Sequence, residues 1–150
     1  MNELTTLFQY VPLDFGQLMA LMPLCFLAFL SVLILIAVTF KSNHTQGIGA
    51  GLGIFGLSVA FILLLKDFNL PTTTILNDIL VFSPLTRALS MVVCLIGVVS
   101  YLLVYAEAKK EGFLPEIYAL LLLSILGMFI VVHTSHLLLT FIGIEIMSLA

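Results

Sequence analysis

Charge is scarce in this chain. Only 9% of its residues are charged, and the five lysines and arginines stand singly or as one adjacent pair, Lys109 and Lys110. With a net charge of −3 and no basic patch, nucleic-acid binding is excluded as a function class. Cysteine is scarcer still: Cys25 and Cys94 sit inside apolar runs without C-x-x-C spacing, so both read as small buried hydrophobes and say nothing about redox compartment. Tryptophan is absent. The opening segment, MNELTTLFQYVPLDFGQ, carries Glu3 and Asp14 but no cation. It lacks the positive n-region of a signal peptide and reads as a mature lead-in over residues 1–17.

What the chain has in abundance is apolar surface, at 62% of its residues. A soluble domain of 150 residues could not hide that much in one core, so its solvent is lipid. Runs of about 20 apolar residues are what a hydrocarbon layer roughly 30 Å thick asks of a spanning helix. The pattern predicts an all-α, polytopic transmembrane helix bundle with helices over 18–40, 47–65, 85–106 and 115–132, and the start of a fifth from His136 to Ala150. Pro23 falls in the first turns of helix one, where proline is tolerated. KSNHTQ closes that helix, KDFNLPTTTILND forms a longer polar connection punctuated by Pro71, and Pro115 with Glu116 opens helix four. The fifth helix covers about 22 Å at a rise of roughly 1.5 Å per residue, too short to cross the bilayer. Since unsatisfied carbonyls in hydrocarbon are costly, the expectation is that these residues are the N-terminal part of a longer protein, or that another chain continues the helix. Lys41, Lys109 and Lys110 lie on one side, Lys66 and Arg87 on the other, which favours a cytoplasmic position for the first group and an outside N-terminus.

GLGIFG, at residues 51–56, matches G-x-G-x-x-G letter for letter but follows no strand and continues into further glycines within an apolar helix. Gly47 with Gly51, and Gly49 with Gly53, are each four apart on one face, and we read them as positions where another backbone approaches closely. His133 and His136 have the i, i+3 spacing of helical metal ligands, yet no Cys, Asp or Glu in the same turn completes a metal site. They read as interfacial histidines at a tight turn, and as polar positions at the mouth of a proton path. Arg87 reads as a helix-end cation that snorkels to the interface, facing Asp78. Glu145 is different in kind. Nine residues beyond His136, it lies about 13 Å into the membrane, near the midplane. An acid at that depth costs roughly 2.5 to 3.5 kcal/mol, so it should face the bundle interior and find a partner or water. Its helical neighbours are apolar apart from Ser148, and a carboxylate poised between desolvation and a basic partner can gain and lose a proton.

The stretch LPEIYALLLLSILGMFIVVHTSHLLLTFIGIEIMSLA, residues 114–150, resembles the fourth and fifth helices of the N subunit of proton-pumping NADH:quinone oxidoreductase, respiratory complex I. The shared features are an acidic and aromatic start, a leucine run broken by Ser124 and Gly127, a short polar turn, and Gly-Ile-Glu-Ile-Met-Ser-Leu. The related M and L subunits usually carry Trp before this glutamate, whereas here Ile144 precedes Glu145. The nearest acid before helix three, Asp78, is displaced from the position the family commonly uses. The resemblance implies three N-terminal helices over 18–113, then over 114–150 the opening of an antiporter-like repeat. It implies that Glu145 is the proton-path carboxylate, paired with a lysine on a later helix outside these residues, with His133, His136 and Ser148 as further polar candidates. It also implies no cofactor in this chain, since NADH, FMN, iron–sulfur clusters and quinone belong to partner subunits. The partners implied are the other membrane subunits, the remaining C-terminal helices and the lipid bilayer, in a bacterial inner membrane. Two rival functions stand beside it: a subunit of a multisubunit cation/proton antiporter, and a non-catalytic helical assembly subunit.

Overall fold

The computed structural model describes residues 15–39, 45–75, 79–111 and 116–150. Five helices, α1 (Phe15–Thr39), α2 (Thr45–Asp67), α3 (Pro84–Glu111), α4 (Glu116–His133) and α5 (Leu137–Leu149), are joined by a small antiparallel hairpin, β1 (Thr73–Ile75) and β2 (Leu80–Phe82), between α2 and α3. The first four helices carry apolar spans of 21, 21, 24 and 18 residues, long enough to cross a membrane, and α5 is a shorter apolar helix. The outer faces bear exposed Phe29, Phe55, Ile62, Leu103 and many like them, as an integral membrane protein requires. The lead-in expected over 1–17 lies outside the described residues except for its last three, which already belong to α1. Lys41, Asp78 and Pro115 lie outside them as well. Because α1 begins at Phe15, Pro23 falls inside the helix rather than in its first turns, and its missing N–H removes one bond to residue 19.

Helices α1 to α4 pack in a ring, each against the next and α4 back against α1, while α5 lies along the outside of α4. Hydrophobicity alone cannot say which face points inward, since each helix is apolar all round; size and fit decide instead. Buried Leu27, Leu30 and Ile34 on α1, Leu57, Ala60 and Leu64 on α2, and Leu122, Ile125 and Phe129 on α4 recur at helical spacing and make the core. Cys94 belongs to it, but Cys25 is exposed on the outer face of α1, against the expectation that both thiols are buried.

The glycines of α2 divide as their two faces do. Gly49 and Gly53 are buried and receive the rings of Tyr118 and Tyr101, whereas Gly47 and Gly51 meet nothing within 4 Å. The expected close approach of another backbone is therefore corrected: aromatic rings fill the notch. The two rings stack with centroids 5.9 Å apart, and the Tyr101 hydroxyl donates to the Tyr118 carbonyl. The Ser58 and Ser100 hydroxyls stay within their own helix, donating to the Ile54 and Ile96 carbonyls, so they need no water.

The hairpin is held from several sides. Pro84 opens α3 behind a reciprocal cap in which the Ser83 hydroxyl accepts from the Thr86 N–H at 3.2 Å and the Thr86 hydroxyl accepts from the Ser83 N–H at 2.9 Å. Ile75, Leu80 and Phe82 form a second apolar cluster with Ala20, Leu21 and Leu139. The Ser135 N–H donates to the Ile79 carbonyl at 3.0 Å, tying the hairpin to the turn before α5.

Candidate functional site

The turn from α4 into α5 sets where the sequence-predicted residues stand. His136 is the N-cap of α5, with extended backbone at φ −106° and ψ 126°; its N–H donates to the Thr134 hydroxyl at 3.1 Å and its side chain is exposed. From there α5 runs along α4 through two glycines. A Cβ on Gly127 would stand 2.7 Å from the Gly143 carbonyl oxygen, and one on Gly143 would stand 3.0 Å from the Gly127 oxygen. The two backbones touch. Helix propensity penalises glycine, so an isolated glycine inside each apolar helix was the available signal for this crossing.

That contact fixes the rotation of α5. Gly143 is buried, Leu139, Thr140, Ile146 and Met147 are half-buried, and Leu138, Phe141, Ile142, Glu145, Ser148 and Leu149 are exposed. Glu145 therefore points away from the other four helices, and within these five helices it does not face the interior as expected. The physical reason is that Gly143, two residues earlier and the one glycine of α5, makes the backbone contact, and this turns Glu145 outward. Among the described residues no hydrogen bond or ion pair reaches its carboxylate. Ser148 shares its face.

The His133 side chain is turned inward. It is 2% exposed, with ring centroids 4.6 Å from Phe82 and 6.0 Å from Phe129. Its Nδ1 lies 2.9 Å from the Phe129 carbonyl oxygen, which can only accept, so Nδ1 carries the proton of that bond. Arg87 departs further from its expected place. Rather than snorkelling, it is 2% exposed and donates to the Leu70 carbonyl at 2.6 Å and the Pro71 carbonyl at 3.2 Å. Asp78, its expected partner, lies outside the described residues. The structure thus groups His133 and Arg87 beneath the hairpin and leaves Glu145, Ser148 and His136 on outward surfaces. A separate groove of about 350 Å³ between α2 and α3, lined by Leu57, Ser58, Phe61, Ile62, Cys94, Leu95 and Val98, is mostly apolar, and its Ser58 hydroxyl is hydrogen-bonded to the Ile54 carbonyl.

An exposed acid on an apolar helix invites comparison with known membrane proteins. No protein-family model matches the chain. Three curated proteins do, and two of them bear one name. The chain is similar to NADH-quinone oxidoreductase subunit N. The protein of that name from Azoarcus sp. (strain BH72) is 34% identical over 131 residues, covering 83% of this chain and 26% of its own length. That from Thiobacillus denitrificans (strain ATCC 25259 / T1) is 27% identical over 143 residues, covering 93% of this chain and 29% of its own length. The chain thus spans between a quarter and a third of the length of these relatives.

Proposed function

We propose that this chain supplies the first helices of an N subunit of proton-pumping NADH:quinone oxidoreductase, in a bacterial inner membrane with the N-terminus and the hairpin on the outer side. The observation that carries the reading is the similarity, over most of the chain, to two proteins named for that subunit. The chemistry assigned to these residues is proton transfer and not electron transfer. Glu145 is the proton-path carboxylate, and its outward position on α5 is where the rest of the path attaches. A carboxylate at mid-membrane depth needs a basic partner or water, so protein beyond these residues covers this face. Ser148 on the same face and His136 at the mouth of α5 are the polar groups placed to extend the path. In this reading NADH, flavin, iron–sulfur clusters and quinone are bound by partner subunits.

The test is purification of the full-length protein through an affinity tag in mild detergent. NADH:quinone reductase activity and iron–sulfur signals should co-purify with it. Recovery of a membrane complex that exchanges sodium or potassium for protons in vesicles, with no NADH oxidation, would instead assign the chain to a cation/proton antiporter.

A further inference from the structure

Beneath the hairpin, three buried polar atoms, the Thr73 hydroxyl oxygen, the Ser90 hydroxyl oxygen and His133 Nε2, have no hydrogen-bond partner among the described residues. Buried polar atoms in native proteins are almost always satisfied, by protein or by ordered water. These three stand on elements that meet there, since β2 packs against both α3 and α4. Thr73 pairs directly with Phe82 across the hairpin, so their side chains share one face, the face that carries buried Ile75 and Leu80 into the bundle. The Phe82 ring rests on His133 at 4.6 Å. Ser90 lies one turn below Arg87 on the buried seam of α3, and Arg87 is within electrostatic reach of the His133 ring.

We propose that the hairpin closes a buried water site formed by His133 Nε2, Ser90 and Thr73 beside the Arg87 guanidinium. The donor and acceptor roles select the occupant. Nδ1 donates to the Phe129 carbonyl, so in the neutral ring Nε2 presents a lone pair, which requires a donor. Two hydroxyls that can donate or accept complete the two to four partners a buried water needs. The guanidinium has five N–H groups, of which the two bonds to Leu70 and Pro71 account for two. An anion beside Arg87 would face the imidazole lone pair, whereas water donates to it. No cluster of three His, Cys, Asp or Glu that could hold a metal occurs among the described residues. The site lies at the hairpin end of α4, where the span meets the interface, and it gives His133 contact with water despite its burial.

The experiment is water-edited solid-state NMR on the full-length protein in its membrane complex, labelled with 15N-histidine, with His133→Gln used to assign the ring signals. Polarisation should pass from water to the His133 ring as readily as to that of exposed His136. Ser90→Ala should reduce the transfer to His133 and leave His136 unchanged; Thr73→Val serves the same purpose if Ser90→Ala disturbs assembly. Replacing chloride by gluconate should change nothing. A His133 ring that receives no polarisation ahead of the apolar core overturns the proposal, and so does a signal that requires chloride.

Discussion

Replacing Gly127 with alanine tests the α4–α5 crossing, because the new Cβ would stand 2.7 Å from the Gly143 carbonyl oxygen and 2.8 Å from Met147 Cγ. Close C···O contacts between helices are about 3.3 Å, so the two axes must part by roughly 0.6 Å near this point. A gap of that size forfeits about a quarter to a half of the dispersion well for the atoms lining it. Overpacking of this kind costs typically about 1–3 kcal/mol, against which alanine returns about 0.8–1 kcal/mol of helix propensity. We expect a net destabilisation of up to about 2 kcal/mol for Gly127→Ala, and a similar loss for Gly143→Ala, whose Cβ meets Val131 at 2.7 Å. One separation relieves both clashes, so the double variant should fall short of the sum by about 0.5 kcal/mol or more. Reversible unfolding in mixed micelles, followed by far-ultraviolet circular dichroism, measures all three. Gly51→Ala is the control, since nothing lies within 4 Å of its Cβ. Its stability should stay level or rise by about 0.5–1 kcal/mol. Single variants as stable as that control, or a strictly additive double, would refute the crossing.

The spans were legible because lipid sets their length. The expected helix ends at 40, 65, 106 and 132 fall within five residues of the observed Thr39, Asp67, Glu111 and His133. The hairpin was not legible: its strands have three residues each, too few for alternation to register, and Leu80, Val81 and Phe82 read as the apolar approach to α3. Its one signal was the run of β-branched Thr72, Thr73, Thr74 and Ile75. Arg87 was misread because its partners are backbone carbonyls 17 and 16 residues earlier, and main-chain acceptors leave no mark in a side-chain pattern. The direction of Glu145 could not follow from periodicity. With Leu137, Leu138, Leu139, Phe141, Ile142, Ile144 and Ile146 around it, α5 is apolar on every face, and only Gly143 distinguishes the packed side.

Arg87→Met removes the fork that holds Leu70 and Pro71, and at about 1.5–3 kcal/mol for a hydrogen bond to a charged group the hairpin segment should become markedly more sensitive to protease. Arg87→Lys should restore only part of the protection because an ammonium cannot span both carbonyls, and unchanged digestion in both variants would count against the anchor. Tyr101→Phe keeps the ring in the Gly53 notch but loses the bond to the Tyr118 carbonyl, so unfolding measurements should show a loss of about 0.6 kcal/mol and no more than about 1.7. Cysteines placed at Ser42 and at exposed Asn69 should react with membrane-impermeant maleimide from opposite sides, Ser42 from the cytoplasm; the reverse pattern would invert the orientation.

Glutamine has nearly the shape of glutamate and keeps its hydrogen bonding, but it cannot exchange a proton at physiological pH. The deciding measurement is therefore proton translocation and quinone reduction recorded together in membrane vesicles containing the full-length Glu145→Gln protein. A relay predicts normal assembly with most proton translocation lost and quinone reduction falling alongside it, while Glu145→Asp retains part of both. Full translocation by a well-assembled Glu145→Gln complex would contradict the assignment of Glu145 to the proton path.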